Sequence, residues 1–336
     1  MSTAVAGGAV GTPAAPTPDR LRARRKAAWR RRRFVLLLMS PWLVGFAIFF
    51  GYPLIYSVYL SFTHYDLLSA PRWVGLANYR FLFGADQQVW PAVYNTLWMI
   101  VIAVPLQVLF AFSVALMITR ARLGVGFFRT VFYLPTMAPA VAATLGFVFL
   151  FNPATGPVNT ILGAIGIQGP LWFQSPSLSK PSLTLLGIWG VGNTMIIFLA
   201  ALLDVPKHLY ESAELDGAGW WQRMRWVTLP TISPVILFAV VIGVIEGLQY
   251  FTEGYVASTV AAGGAGGGAG DATNNLGYPQ DSTLFYPLLL YQQGFRYFNM
   301  GYASAMAVML LVVSLAVTVV ILRRSDRFVH YAGAMR

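Results

Sequence analysis

MGYASAMAVMLLVVSLAVTVVILRR, residues 300–324, decides what class of fold this chain can adopt. Positions 300–322 hold no Asp, Glu, Lys, Arg or His, and Arg323 and Arg324 end the run. About 20 apolar residues cross the hydrocarbon of a bilayer as a helix, so this stretch reads as a membrane span. Five more runs of the same kind precede it, at 34–62, 92–118, 130–151, 183–203 and 231–251. Pro135 and Pro139 interrupt the third, which membrane helices tolerate when neighbours satisfy the freed backbone groups. The expected fold is all-α, a polytopic membrane protein of six transmembrane helices.

Composition points the same way. Of 336 residues, 57% are hydrophobic and only 10% charged, against about 25% charged in soluble domains. No single core of a chain this size could hide so much apolar surface. The net charge of +11 would suggest nucleic acid in a soluble protein, but here the basic residues flank the apolar runs. Nineteen of the 23 Lys and Arg fall in 1–33, 119–129, 204–230 and 323–336. The remaining four are Arg72, Arg80, Lys180 and Arg296, in the alternate loops 63–91, 152–182 and 252–299. By the positive-inside rule both termini and the 204–230 loop are cytoplasmic, N-in and C-in, and nucleic acid is not a partner.

The expected organisation is a disordered basic cytoplasmic tail over 1–33, a six-span domain over 34–322 and a cytoplasmic tail over 323–336. The first tail combines Ala, Gly, Pro and Thr with nine basic residues between Arg20 and Arg33, which cannot build a core. Arg30 to Arg33 before Phe34 faintly resembles a twin-arginine export signal, but the apolar run continues to Phe62, too long for a signal peptide. The Gly/Ala-rich stretch 261–270 lacks the strand, Lys and Ser/Thr of a phosphate loop and reads as a flexible linker. With no cysteine and with His64, His208 and His330 scattered, no catalytic residues, metal site or cofactor is expected. The chain shows no internal repeat and one acidic residue within its spans, against a stand-alone secondary transporter.

The loop 204–230 is the most informative. Asp204 can cap a helix, Pro206 suits its first turn, Lys207 to Asp216 is good helix sequence, and Gly217 and Gly219 supply the turn. A helix of about ten residues is not stable alone in water, so it packs on something. Lys207 and Glu211 share a face and could form a local i,i+4 pair; Glu211 and Glu214 could equally face a partner.

Tyr210-Glu211-Ser212-Ala213-Glu214-Leu215-Asp216-Gly217-Ala218-Gly219, then Leu229-Pro230, resembles the EAA motif of ABC importer permeases, with Ser212 in place of the usual Ala. Further marks run over 34–330: Tyr52-Pro53, Trp73 to Tyr79, Asn95-Thr96, Phe128-Arg129-Thr130, Leu134-Pro135 and Gly301 to Ala305. They are typical of the binding-protein-dependent carbohydrate-uptake branch, near the permeases for maltose, other oligosaccharides and glycerol phosphate. The resemblance implies a permease subunit of a prokaryotic cell membrane, moving a sugar or, alternatively, a solute such as glycerol phosphate. It implies that the loop is a coupling helix seated in an ATPase groove, through Glu211, Ser212, Ala213, Asp216, Gly217 and Ala218. The implied partners are a second, usually different permease, two ATPase subunits, an external substrate-binding protein and membrane lipid. Where the family often has a short Gly-Gly-Pro turn after the fifth span, this chain carries a longer insertion over 261–281, so that local contact with the binding protein is not carried over.

An ionisable side chain within a span is a functional hypothesis by default. Glu246 is such a residue, and Gln249, Tyr250 and Glu253 follow at i+3, i+4 and i+7, beside a Gly243-x-x-x-Gly247 pair that permits close helix approach. The stripe could line a path for sugar hydroxyls or hold helices together. Asn193, near Gly190 and Gly192, carries the same two readings.

Overall fold

The computed structural model describes residues 18–121, 123–264 and 276–325. Helices dominate. In chain order they are α1 (Pro18–Phe46), α2 (Tyr52–Leu60), α3 (Ala77–Gly84), α4 (Val89–Arg120), α5 (Val125–Tyr133), α6 (Ala140–Leu150) and α7 (Pro157–Ala164). There follow α8 (Ser179–Trp189), α9 (Gly192–Leu203), α10 (Lys207–Leu215), α11 (Trp220–Leu248), α12 (Thr252–Thr259), α13 (Tyr286–Tyr291) and α14 (Met300–Ser325). One two-residue ribbon, β1 (Thr63–His64) against β2 (Arg72–Trp73), pairs antiparallel.

Four helices are long and apolar enough to cross a membrane: Trp29–Leu60, α4, α11 and α14. Two bent pairs, Val125–Met137 with α6 and α8 with α9, raise the number to six if each pair is one span. The first pair turns by 100°, a sharper break than the tolerated interruption expected of the third run. The cause lies in the two prolines. Pro139 bars Ala138 from helical geometry, leaving it extended at φ −73°, ψ 130°, after a 3₁₀ turn from Leu134 to Met137. The second pair bends by 49° around Gly190 and Val191.

Other prolines are absorbed without a break. Pro41 and Pro234 lie inside helices and leave the carbonyls of Leu37 and Pro230 without their i+4 partner. The preceding serine supplies the bond in both cases: Ser40 Oγ donates to Leu37 O at 2.8 Å and Ser233 Oγ to Pro230 O at 2.7 Å. Three π-helical turns, Ala47–Gly51, Met99–Ala103 and Met224–Thr228, each end two residues before a proline, at Pro53, Pro105 and Pro230. There the wider ladder carries the helix past the missing N–H.

The chain divides into two compact units, residues 1–56 and 57–336. The first holds α1 and the π turn that follows it, with Trp42, Phe46 and Phe50 stacked in succession. Helix begins at Pro18, inside the stretch expected to be a disordered tail. Arg, Lys and Ala are strong helix formers, and continuity with the apolar run removes the cost of nucleation. Residues 1–17 of that tail, 265–275 of the Gly-rich stretch and 326–336 of the C-tail lie outside the described residues.

The second unit holds two buried clusters. One gathers Met195, Phe198 and Leu199 of α9, Ala111 and Ala115 of α4, and Ile232 of α11, near the 204–230 loop. The other gathers Leu183, Phe285, Leu288, Leu289 and Met306. The second takes in part of the connection 252–299, which the sequence marked only as a loop between two spans. Leu276, Ser282, Thr283 and Leu284 are buried. Asn95 holds this segment: its Nδ2 donates to Asp281 O at 2.6 Å and Leu284 O at 3.0 Å, while Lys180 Nζ donates to its Oδ1 at 2.8 Å. Ser179 and Ser282 hydroxyls bond at 2.8 Å, and Tyr286 N donates to Thr96 Oγ1 at 2.9 Å.

Candidate functional site: a coupling loop and a polar cavity

α10 starts at Pro206, which takes the cap position with ψ 128°, and not at Asp204. Asp204 instead closes α9, two residues too early for its carboxylate to reach the first N–H groups of α10. Buried Val205 anchors the connection between them. The far end is as expected. Gly217 sits at φ +76°, where a side chain is strained. Gly217 N donates to Glu214 O at 3.0 Å and Ala218 N to Ala213 O at 2.9 Å, the crossed pair of a Schellman stop.

The faces of α10 then separate. Tyr210 is half-buried, and its hydroxyl bonds Thr228 Oγ1 at 2.9 Å, tying α10 to the start of α11. Glu214 pairs with Arg223, not with Lys207. An exposed pair of this kind contributes about 0–1 kcal/mol. Glu211 has no ion pair or hydrogen bond among the described residues, so the local Lys207–Glu211 pair does not form. Glu211, Ser212, Asp216 and Gly217 are exposed, Ala213 and Ala218 half-buried, and Leu215 is 90% exposed at the helix end. Ser212 Oγ is turned back onto His208 O at 2.9 Å. The free surface of the loop thus carries the Glu211 and Asp216 carboxylates beside small and apolar groups.

A cavity of about 700 Å³ opens among α4, both bent pairs, α11 and the turn after it. Asn193, Glu246, Gln249 and Tyr250 all line it, as does Glu253. They are not, however, one helical stripe. α11 ends at Leu248, and Phe251 leaves helical geometry at φ −130°, ψ −60°. The aromatic rings account for the turn: Tyr250 meets Phe285 edge-on at 5.0 Å and Phe251 meets Tyr291 at 5.4 Å. Asn193, Glu246 and Gln249 make no side-chain hydrogen bond among the described residues. Gly243 and Gly247 do serve close approach. A Cβ on Gly243 would lie 2.7 Å from Val104 Cγ1, and one on Gly247 3.1 Å from Ile100 Cγ1.

Gln107, Thr136, Trp189 and Thr194 also line the cavity and escaped the reading of the sequence. Gln107 carried a signal, an amide in the middle of an apolar run; Thr136 carried none, because only the bend turns it inward. No Lys, Arg or His is among the lining residues. The cavity can thus stack apolar faces on Trp189 and Tyr250 and accept hydrogen bonds from hydroxyls at its carboxylates and amides.

The sequence profile described as "Binding-protein-dependent transport system inner membrane component" matches residues 107–330. The chain belongs to this family. The matched residues include the 204–230 loop and nearly all of the cavity lining, and this permease is a membrane transport subunit and not an enzyme. It is 38% identical over 295 residues to the probable ABC transporter permease protein YesP of Bacillus subtilis, covering 87% of this chain and 90% of that one. It is 29% identical over 322 residues to the arabinooligosaccharides transport system permease protein AraP of the same organism, covering 93% and 96%. Among solved structures, a bacterial ABC transporter involved in the import of the acidic polysaccharide alginate superposes with a TM-score of 0.74 at 25% identity, covering 91% of this permease and 100% of that chain.

Proposed function

We propose that this permease is one membrane half of an ATP-driven importer that receives a sugar or oligosaccharide from an external binding protein and passes it inward by alternating access. Six spans with both ends cytoplasmic, a permease domain over 34–322 and a coupling loop over 204–230 complete the reading. The 19-to-4 division of Lys and Arg supports the orientation, and the two bent pairs support six crossings. α10 docks into a separate ATPase subunit through Glu211, Ser212, Ala213, Asp216, Gly217 and Ala218. A second permease, usually a different chain, closes the path, and a pair of ATPase subunits drives it.

The observation that carries the proposal is the cavity, which collects Asn193, Glu246, Gln249 and Tyr250 from two separate helices and a turn. Its aromatic and hydrogen-bonding lining suits a saccharide, and relatives are described as permeases for arabinooligosaccharides and for lactose. An anionic cargo such as alginate would find no counter-charge among these lining residues. The test is uptake by the reconstituted complex with Glu246→Leu. Losing one carboxylate's hydrogen bonds, about 1.5–3 kcal/mol, lowers uptake by tenfold or more. ATPase subunits still bind. Wild-type uptake kinetics in that variant would return Glu246 to a structural role.

A further inference from the structure

A second pocket, about 380 Å³, lies beside α10 where α4 and α9 end and α11 begins. Three cations line it, Arg120, Lys207 and Arg223, and no carboxylate does. Arg223 is paired with Glu214. The Arg120 guanidinium lies over Trp220, 4.8 Å from the ring centroid, a contact that uses none of its N–H donors. Neither Arg120 nor Lys207 makes a hydrogen bond or ion pair among the described residues. The Tyr210 and Thr228 hydroxyls complete the polar side. Leu116, Leu202 and Met224 form an apolar wall opposite it.

Cations gathered around one space repel each other, and an anion between them reverses the sign of that interaction. The apolar wall asks for more than an anion, since a free phosphate would leave it uncovered. Trp221 and Trp226, 74% and 71% exposed beside the pocket, are the residue type that settles at headgroup depth. Basic pockets between membrane helices at that depth suit anionic lipid headgroups.

We propose that this pocket binds the phosphodiester headgroup of an anionic membrane lipid, its glycerol and first methylenes against Leu116, Leu202 and Met224. The lipid bridges Lys207 on α10 to Arg120 at the end of α4. Binding itself does not depend on the function assigned to α10. Its consequence, a lipid-dependent ATPase, rests on α10 being the coupling helix.

The test uses the complete transporter in nanodiscs of phosphatidylcholine alone, of phosphatidylcholine with phosphatidylglycerol, and of phosphatidylcholine with inorganic phosphate in the buffer. The wild type should retain phosphatidylglycerol through detergent extraction, counted by native mass spectrometry, and show several-fold faster substrate-stimulated ATPase in the anionic discs only. Arg120→Gln/Lys207→Gln should lose both effects, while Arg72→Gln/Arg80→Gln, with the same change in charge elsewhere, should keep them. Equal retention by the wild type and the first variant overturns the site. Equal stimulation by inorganic phosphate overturns the lipid assignment in favour of a soluble phosphate. Loss of the ATPase subunits from the first variant in every lipid also overturns it, because the cations then hold a protein. Charge-dependent retention with an unchanged ATPase supports the site and counts against the coupling role of α10.

Discussion

Glu211 and Glu214 stand three residues apart on one helix, yet their neighbours give them different work. Glu214 is spent on Arg223, whereas Glu211 is exposed and unpaired among the described residues. Glu211→Arg should therefore leave folding and membrane insertion intact, since surface substitutions typically change stability by within about 0.5 kcal/mol. Reversing a charge that faces a partner costs about 2–5 kcal/mol of docking, so substrate-stimulated ATPase should fall by more than tenfold. Unchanged stimulation in the reconstituted complex would remove the coupling assignment. Asn95 is the opposite case, buried and fully used, with Lys180 on its oxygen and two carbonyls on its nitrogen. Asn95→Leu strands all three, at about 1–3 kcal/mol for each buried group left unpaired. Its thermal unfolding in detergent should drop well below that of Asn193→Leu, which changes an exposed residue and breaks no side-chain hydrogen bond among the described residues.

At the scale of elements, α4 and α11 approach as closely as they do because Gly243 and Gly247 carry no side chain toward Val104 and Ile100. Gly243→Val forces the pair apart at a cost of about 1–3 kcal/mol, the usual range for overpacking. A lower unfolding temperature than that of Gly146→Ala, whose added methyl meets nothing within 4 Å, is the expected result. The proline-bearing helices show a second local device, a serine hydroxyl standing in for the absent N–H. Apolar periodicity marks these helices along the chain but not their breaks. It passes over Pro135 and Pro139 as tolerable interruptions, although Leu134 and Ala138 precede them where Ser40 and Ser233 precede Pro41 and Pro234. What separates the cases is whether a neighbouring hydroxyl or a π turn restores the lost bond, or the chain turns by 100° instead.

For the molecule as a whole, topology is the property most open to direct test, because the chain contains no cysteine. Single cysteines at Leu68, 91% exposed in the 63–91 loop, and at His208, exposed on α10, should react with an impermeant thiol reagent from opposite faces of the membrane. Labelling of both from one face would overturn the six-span reading. The basic, apolar and EAA-like character of the chain was enough to identify a membrane transport subunit. It also singled out the 204–230 loop between two apolar runs, because span length and charge bias act on the chain segment by segment. The cavity was legible only in fragments. Glu246 and Asn193 stand out in apolar surroundings, but Thr136 and Trp189 acquire their place from a bend and from the packing of Gly192 against Phe132 and Tyr133. The sequence by itself thus determined that the chain enters a bilayer and which family of transport subunits it belongs to. Tertiary structure alone decided which polar groups face one another, because that depends on how broken helices and an insertion anchored by Asn95 pack, and neither leaves a periodic trace.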